Sequence, residues 1–268
     1  MPVEVGIVGA GNRGHAHADV DGADVVAVAD IDQDAATTLA DDYDVPVVYG
    51  EFQDMLDDAA LDAVSVCVHN NLHWPVTEYA ADAGVHVFCE KPLAATYTDA
   101  EAMAETAEEA GVHLGVQNDR LFSPETRAAR TLVDAGELGE PYYARGVYSR
   151  RRGRPYIDGY GTPGFVSKES AGGGPVIDIG TYVVGQLLNL LGNAEVERVS
   201  GRAVEFTGDA YAAELTGENQ STYTDRLDES GHDIEDAGMG MAHLADEAGR
   251  ELTAEEIAER SESTAIEL

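Results

Sequence analysis

Residues 3–30 constrain the chain most. An apolar, β-branched run, Val3–Val8, passes straight into Gly9-Ala10-Gly11-Asn12-Arg13-Gly14, and a second apolar run, Val25–Ala29, ends on Asp30. A strand, a G-x-G-x-x-G turn, a helix and a second strand closed by an acid make one βαβ unit. Gly9 permits the tight turn, Gly11 lets the backbone approach a pyrophosphate, and Gly14 permits close helix–strand packing. The helix that follows offers free N–H groups and a partial positive charge to the phosphates. Asp30 stands 21 residues after Gly9, where a carboxylate accepts from the adenosine ribose hydroxyls and repels a 2′-phosphate. The pattern points to NAD ahead of NADP, with Gly9, Gly11, Asn12, Arg13, Gly14 and Asp30 as cofactor-binding residues. Two other readings stay open: Asp30 also suits a turn or a helix cap near Asp32, and Arg13 offers charge to a phosphate.

The same alternation continues for about 120 residues. Strand-like runs at Ala63–Val68, Val85–Cys89 and His113–Gln117 are separated by helical stretches such as Asp32–Tyr43, Pro75–Gly84 and Tyr97–Gly111. Short apolar strands between helices predict a parallel sheet covered on both faces. A helix is expected from Pro124 to Ala135, a strand over Tyr142–Arg150, a Gly- and Arg-rich loop over 151–174, one helix over Asp178–Leu191 and a strand over Val196–Phe206. The predicted fold class is α/β: a Rossmann doubly wound parallel sheet over 1–121, then an α/β domain with an open mixed or antiparallel sheet over 122–268. Residues 207–268 are poorly defined, with an acidic helical segment at Leu252–Glu262, so the second sheet is expected to be incomplete.

Composition bears on partners. There are 51 acidic against 16 basic residues, a net charge of −35, and only Lys91 and Lys168 are lysines. Such charge repels nucleic acid and anionic membrane. The acids run along the whole chain, as in a cytoplasmic protein of a salt-loving organism, where molar salt shrinks the Debye length to about 3 Å. No apolar run reaches the ~18 residues of a membrane span, and no leader pattern is read at the start. Cys67 and Cys89 lie in apolar runs and read as core thiols.

Lysine scarcity makes Glu90-Lys91-Pro92 conspicuous at the carboxyl edge of the sheet, where open α/β sheets bind ligands. An ammonium there orients a reacting hydroxyl and stabilises developing negative charge. A cis bond at Pro92 would aim it inward; a solvated loop charge is the plainer alternative. Together, the glycine loop, Glu90-Lys91-Pro92 and Gly172-Gly173-Gly174-Pro175-Val176-Ile177-Asp178-Ile179-Gly180 resemble the glucose–fructose oxidoreductase/inositol dehydrogenase (Gfo/Idh/MocA) family over about residues 3–200. The resemblance implies a Rossmann domain, a second α/β domain through whose open sheet members associate as homo-oligomers, and hydride transfer at a sugar or cyclitol carbon.

The resemblance also implies roles. The family's helix motif D-x-G-x-H-x-x-D reads here Asp178-Ile179-Gly180-Thr181-Tyr182-Val183-Val184-Gly185, so Tyr182 takes the acid–base position and Gly185 replaces the later acid. Tyrosine transfers a proton if a nearby lysine lowers its pKa from about 10, and Lys91 would serve. Asp178, four residues earlier, is expected on the same helix face; a packed aromatic is the alternative for Tyr182. Lys91, Tyr182 and Asp178 are thus the catalytic candidates. Asn70, His73, Glu90 and Gln117 join the cofactor set, and Asn118, Arg151 and Arg152 join Lys91, Asp178 and Tyr182 as substrate candidates. The Arg150–Arg154 cluster either pairs with local acids or lines a pocket. The Gly172–Gly174 run is expected to pass close to cofactor or substrate. His69 and His73 lack a third ligand, so no metal is expected, and His15 and His17 read as surface or packing residues.

The expected function is an NAD(P)-dependent oxidoreductase acting on a hydroxyl carbon of a sugar, sugar acid or cyclitol. Two alternatives stand beside it: a catalytically weak or inactive NAD-binding protein, suggested by the short C-terminal part, and a glycosidase that uses bound NAD for transient oxidation.

Overall fold

A computed structural model describes residues 2–149, 161–205, 232–244 and 266–267. The chain divides into two compact units, Met1–Gln117 with Glu169–Gly172, and Asn118–Lys168 with Gly173–Leu268.

In the first unit six strands alternate with five helices: β1 (Val3–Val8), α1 (Asn12–Ala18), β2 (Ala23–Ala29), α2 (Gln33–Tyr43), β3 (Val47–Tyr49), α3 (Phe52–Asp58), β4 (Ala63–Val66), α4 (His73–Asp82), β5 (His86–Glu90), α5 (Tyr97–Ala110) and β6 (Leu114–Gln117). All pairings are parallel, in the order β3-β2-β1-β4-β5-β6. This is the doubly wound dinucleotide-binding order, and it reverses between β1 and β4. Side chains alternate between the faces of each strand. Ile7 and Val28 therefore pack with Ala36 and Leu39 of α2. Their neighbours Val8, Ala27 and Ala29 pack with Met55 of α3, Val76 of α4 and Met103 of α5. Both faces are covered, as the uninterrupted apolar runs require.

Local chemistry sets the helix ends. The Asp32 carboxylate accepts from the Asp34 and Ala35 amides and starts α2. Thr96 does the same for α5 through the Asp99 amide, and Gly111 ends that helix in the left-handed region at φ +70°. Caps of this kind are each worth about 1 kcal/mol. The three-residue β3 and the seven-residue α3 were not among the predicted elements. Cys89 is fully buried and Cys67 follows β4; burial pushes the Cys67 thiol up to about 12 and raises Cys89 as well. Both are free thiols, Cys89 in the core and Cys67 partly buried at its edge.

The second unit carries α6 (Pro124–Asp134), β7 (Ala144–Arg145), α7 (Lys168–Ala171, only its first residue belonging here), α8 (Pro175–Asp178), α9 (Gly180–Leu190), β8 (Val196–Val204), β9 (Ala237–Leu244) and β10 (Ile266–Glu267). β8 and β9 form an antiparallel ribbon with Gly201 opposite Gly240. α9 lies on α6: the Gln186 side-chain amide donates to Thr126 Oγ1 at 2.7 Å, and Arg130 donates to the Asn189 carbonyl.

Two expectations change here. The predicted antiparallel strand over Tyr142–Arg150 shrinks to Ala144–Arg145, which pairs in parallel with Ile266–Glu267. The single helix expected over Asp178–Leu191 is two helices that meet at Ile179, with Pro175 opening the first. The apolar period runs through the join, so periodicity alone did not reveal it. Leu252–Glu262 and Arg150–Arg154, including Arg151 and Arg152, lie outside the described residues. No helix among the described residues is long and apolar enough to cross a membrane.

Candidate active site

The glycine loop leaves the carboxyl end of β1 at the point where the strand order reverses. Gly9 adopts φ +103°, and a Cβ there would lie 2.6 Å from the Cys67 carbonyl oxygen beyond β4. A Cβ on Gly14 would lie 2.1 Å from the Gly9 carbonyl oxygen. Both positions exclude any side chain for reasons internal to the protein. Gly11 differs, because its missing Cβ would meet nothing within 4 Å. That open space beside the start of α1, which no side chain caps, suits the close approach of a pyrophosphate.

Asp30 closes β2 beside this loop. Its Oδ2 accepts from the Ala10 amide at 2.7 Å and its Oδ1 from the Asp32 amide at 2.8 Å. The carboxylate is thereby fixed against the loop while each oxygen keeps a lone pair for a further donor. The turn reading of Asp30 holds through the Asp32 contact, although the cap of α2 is Asp32 itself. Ile31, 85% exposed, brings no positive charge that would receive a 2′-phosphate. Gly9, Gly11, Gly14 and Asp30 thus fit an adenosine dinucleotide, with Asn12 exposed at the first position of α1.

The Glu90 side chain turns back into the protein. Its Oε1 takes Arg13, through Nε and Nη2, and His17 Nε2 at 2.9 Å. Its Oε2 accepts from the backbone amide of Lys91 at 3.1 Å. The other ring nitrogen of His17 faces Ser65 Oγ of β4 at 2.5 Å. Burial alone would raise the Glu90 carboxyl, but the His17 hydrogen bond and the Arg13 charge outweigh it and hold the group below its usual value. Arg13 and Glu90 were both expected to contact cofactor; they are bonded to each other. Of the two readings of His17, surface or packing, burial favours packing, and its ring joins this network.

Lys91 is joined to Pro92 by a cis peptide bond. His73, the first residue of α4, is fully buried against this turn, its Nδ1 lying 3.0 Å from the Pro92 carbonyl and 3.2 Å from that of Leu93. Its Nε2 lies 3.2 Å from the Val68 carbonyl, and burial lowers its pKa despite these acceptors. So enclosed, His73 braces two loops and has no surface for a cofactor, which corrects its expected role. Asn70 Nδ2 donates to the Ala171 carbonyl at 2.8 Å, and Gln117 ends β6 opposite Glu90.

In the second unit Asp178 ends α8 and Tyr182 lies in the first turns of α9, so the two do not share one continuous helix. The Arg120 guanidinium lies over the Tyr182 ring, 5.8 Å from its centroid. Asn118 reaches the backbone of α9 at Gly185, where a Cβ would stand 2.5 Å from Asn118 Nδ2. Among the described residues the buried Asn118 Oδ1 has no partner. The Gly172–Gly174 run meets protein. A Cβ on Gly172 would lie 2.1 Å from the Ala95 carbonyl, and one on Gly174 2.0 Å from that of Glu235. The Glu235 carboxylate then accepts from the Gly174 and Val176 amides at 2.8 and 3.2 Å, starting α8. The sequence reading did not assign Glu235 this role.

Comparison with known proteins agrees with this geometry. Residues 3–118 match the GFO_IDH_MocA oxidoreductase family, NAD-binding Rossmann fold, and residues 126–267 match the GFO/IDH/MocA C-terminal domain. The chain belongs to the GFO/IDH/MocA oxidoreductase family. It is 35% identical over 229 residues to the D-glucoside 3-dehydrogenase of Escherichia coli, covering 83% of this chain and 64% of that protein. It is 34% identical over 172 residues to a D-xylose 1-dehydrogenase (NADP(+)) of Haloferax volcanii, covering 64% and 51%. The crystal structure of GenD2 from gentamicin A biosynthesis, in complex with NAD, superposes with a TM-score of 0.72 at 24% identity, over 91% of this chain and 63% of that one. The chain therefore spans about half to two thirds of the length of these relatives.

Two outcomes follow. Charge-assisted hydrogen bonds are worth about 1.5–3 kcal/mol, so Asp30→Ala is expected to weaken NADH binding by about 10- to 100-fold in a fluorescence titration and to narrow any preference over NADPH; unchanged affinity would remove Asp30 from the site. The Glu90 carboxyl sits below its ordinary value of 4.5, so its pairing stabilises the fold above that pH and is lost as pH falls through the lower folded value. Acid melts should therefore show the wild-type protein losing more stability below pH 4.5 than Glu90→Gln does.

Proposed function

We propose that this protein is an NAD-dependent oxidoreductase that interconverts a secondary hydroxyl and a carbonyl on a sugar, sugar acid or cyclitol. The observation that carries the reading is the Asp30 carboxylate fixed on the glycine loop beside the open position at Gly11. Membership in the oxidoreductase family and the printed activities of its dehydrogenase relatives support the substrate class.

In this reading the backbone of Gly9–Gly14 holds the pyrophosphate, Asn12 borders it, and Asp30 accepts from the ribose hydroxyls. Asn70 and Gln117 serve the nicotinamide half. When bound, the nicotinamide supplies the hydride acceptor or donor. Tyr182 takes the proton of the substrate hydroxyl as its carbon loses hydride and the C–O bond becomes a carbonyl; in the reverse direction Tyr182 returns it. The Lys91 ammonium stabilises the negative charge that develops on the substrate oxygen, and Asp178 orients substrate. Asn118, whose carbonyl oxygen has no partner among the described residues, accepts from a second substrate hydroxyl.

The relative named for NADP(+) makes the carboxylate at Asp30 the feature to test for cofactor choice. The charge of −35 fits work in molar salt inside a cell. Homo-oligomer formation is proposed through the β8–β9 ribbon, on which Val199 and Met239 stand exposed.

Aldoses, aldonic acids and inositols should be screened with NAD and NADP in molar salt. The expectation is NADH formation with at least one of them, and a loss of about 10²- to 10⁴-fold in kcat for Tyr182→Phe with NADH affinity unchanged. NADH binding without turnover of any polyol would contradict the reading, and release of aglycone without net NADH would replace it with a glycosidase.

A further inference from the structure

The geometry points to Arg13 and His17 as positioning residues for Lys91, acting through the Glu90 carboxylate, rather than as ligands of the dinucleotide. This rests on Lys91 being the lysine of the proposed reaction. Glu90 immediately precedes Lys91, and its side chain folds back so that Oε2 accepts from the Lys91 amide at 3.1 Å. A hydrogen bond from a residue's own side chain to the next amide fixes the direction in which the chain leaves β5. That bond holds only if the carboxylate is itself held.

Two side chains of α1 hold it. Arg13 Nε and Nη2 both bond Oε1, and His17 Nε2 bonds the same oxygen at 2.9 Å. His17 is backed in turn by Ser65 of β4 at 2.5 Å. Positions 13 and 17 are four residues apart, one above the other on the helix face, as two groups aimed at one oxygen must be. The route from the glycine loop to Lys91 is therefore short: the helix that begins on the loop grips the residue before the lysine.

An arginine intended for a phosphate would keep its fork free for the oxygens of that phosphate. Arg13 has already given two of its nitrogens to a buried carboxylate. His17 is buried and has a partner on each ring nitrogen. Neither residue is arranged to contact a dinucleotide, yet both bear on the backbone of Lys91.

The scarcity of lysine gives a direct test. Lys91 and Lys168 are the only lysines, so reductive methylation with ¹³C-formaldehyde, which keeps their charge, yields two side-chain dimethyl signals by NMR. Lys168→Arg assigns them. Spectra are recorded for the wild-type protein, Glu90→Gln and Arg13→Gln, with NADH affinity and melting temperature measured on each. Arg13 is half-exposed, so its variant keeps the test available if Glu90→Gln does not fold. The expected result is a shifted Lys91 signal in both variants, an unmoved Lys168 signal, an NADH Kd within about threefold of wild type, and a lower kcat on whichever polyol is turned over. A Lys91 signal at its wild-type position, or an NADH Kd raised about tenfold or more in Arg13→Gln, would overturn the proposal. The NMR and binding readouts need no turnover, so they decide this point even if the proposed activity fails.

Discussion

The buried carboxylate of Glu90 is the interaction on which the first unit's functional edge depends. The chain has 51 acidic residues, yet among those described Glu90 alone is buried. Burying a carboxylate is costly unless it is paired and hydrogen-bonded. Here the pairing comes from Arg13, His17 and the Lys91 amide, which brings together the helix of the glycine loop and the end of β5, with Ser65 of β4 behind His17. Removing one partner of such a group leaves the rest of the desolvation cost uncompensated. The same contacts that make the burial tolerable therefore fix the backbone at Lys91.

Asp30 plays a comparable part at the neighbouring strand end, where it is only partly buried. Its carboxylate is tied to the Ala10 and Asp32 amides and remains open to a further donor. One acid thus organises the protein internally, and the other is the one proposed to receive the ribose hydroxyls. Most of the other described acids are exposed, where like charges repel one another.

Much of the first unit was legible in the sequence, because parallel strands buried on both faces leave uninterrupted apolar runs between glycine-ended helices. The glycine loop and the place of Asp30 against it were legible by spacing alone, while Lys91 was singled out by the rarity of its type and its role is a proposal. What escaped had no local signature. Three-residue β3 is too short to show a period. The join at Ile179 lies inside an unbroken apolar pattern. The Arg13–Glu90 and His17–Glu90 contacts link positions 77 and 73 residues apart, so each residue was assigned separately, two to the cofactor and one to packing. His73 resembled a ligand for the same reason, since only the fold places its ring nitrogens against the Val68, Pro92 and Leu93 carbonyls.

A crystal structure of the chain grown with NAD tests the account most directly. It should show the pyrophosphate against Gly11, the adenosine ribose hydroxyls donating to Asp30, and Arg13 and His17 still on Glu90. A dinucleotide bound elsewhere, or Arg13 released from Glu90 onto a phosphate, would contradict it.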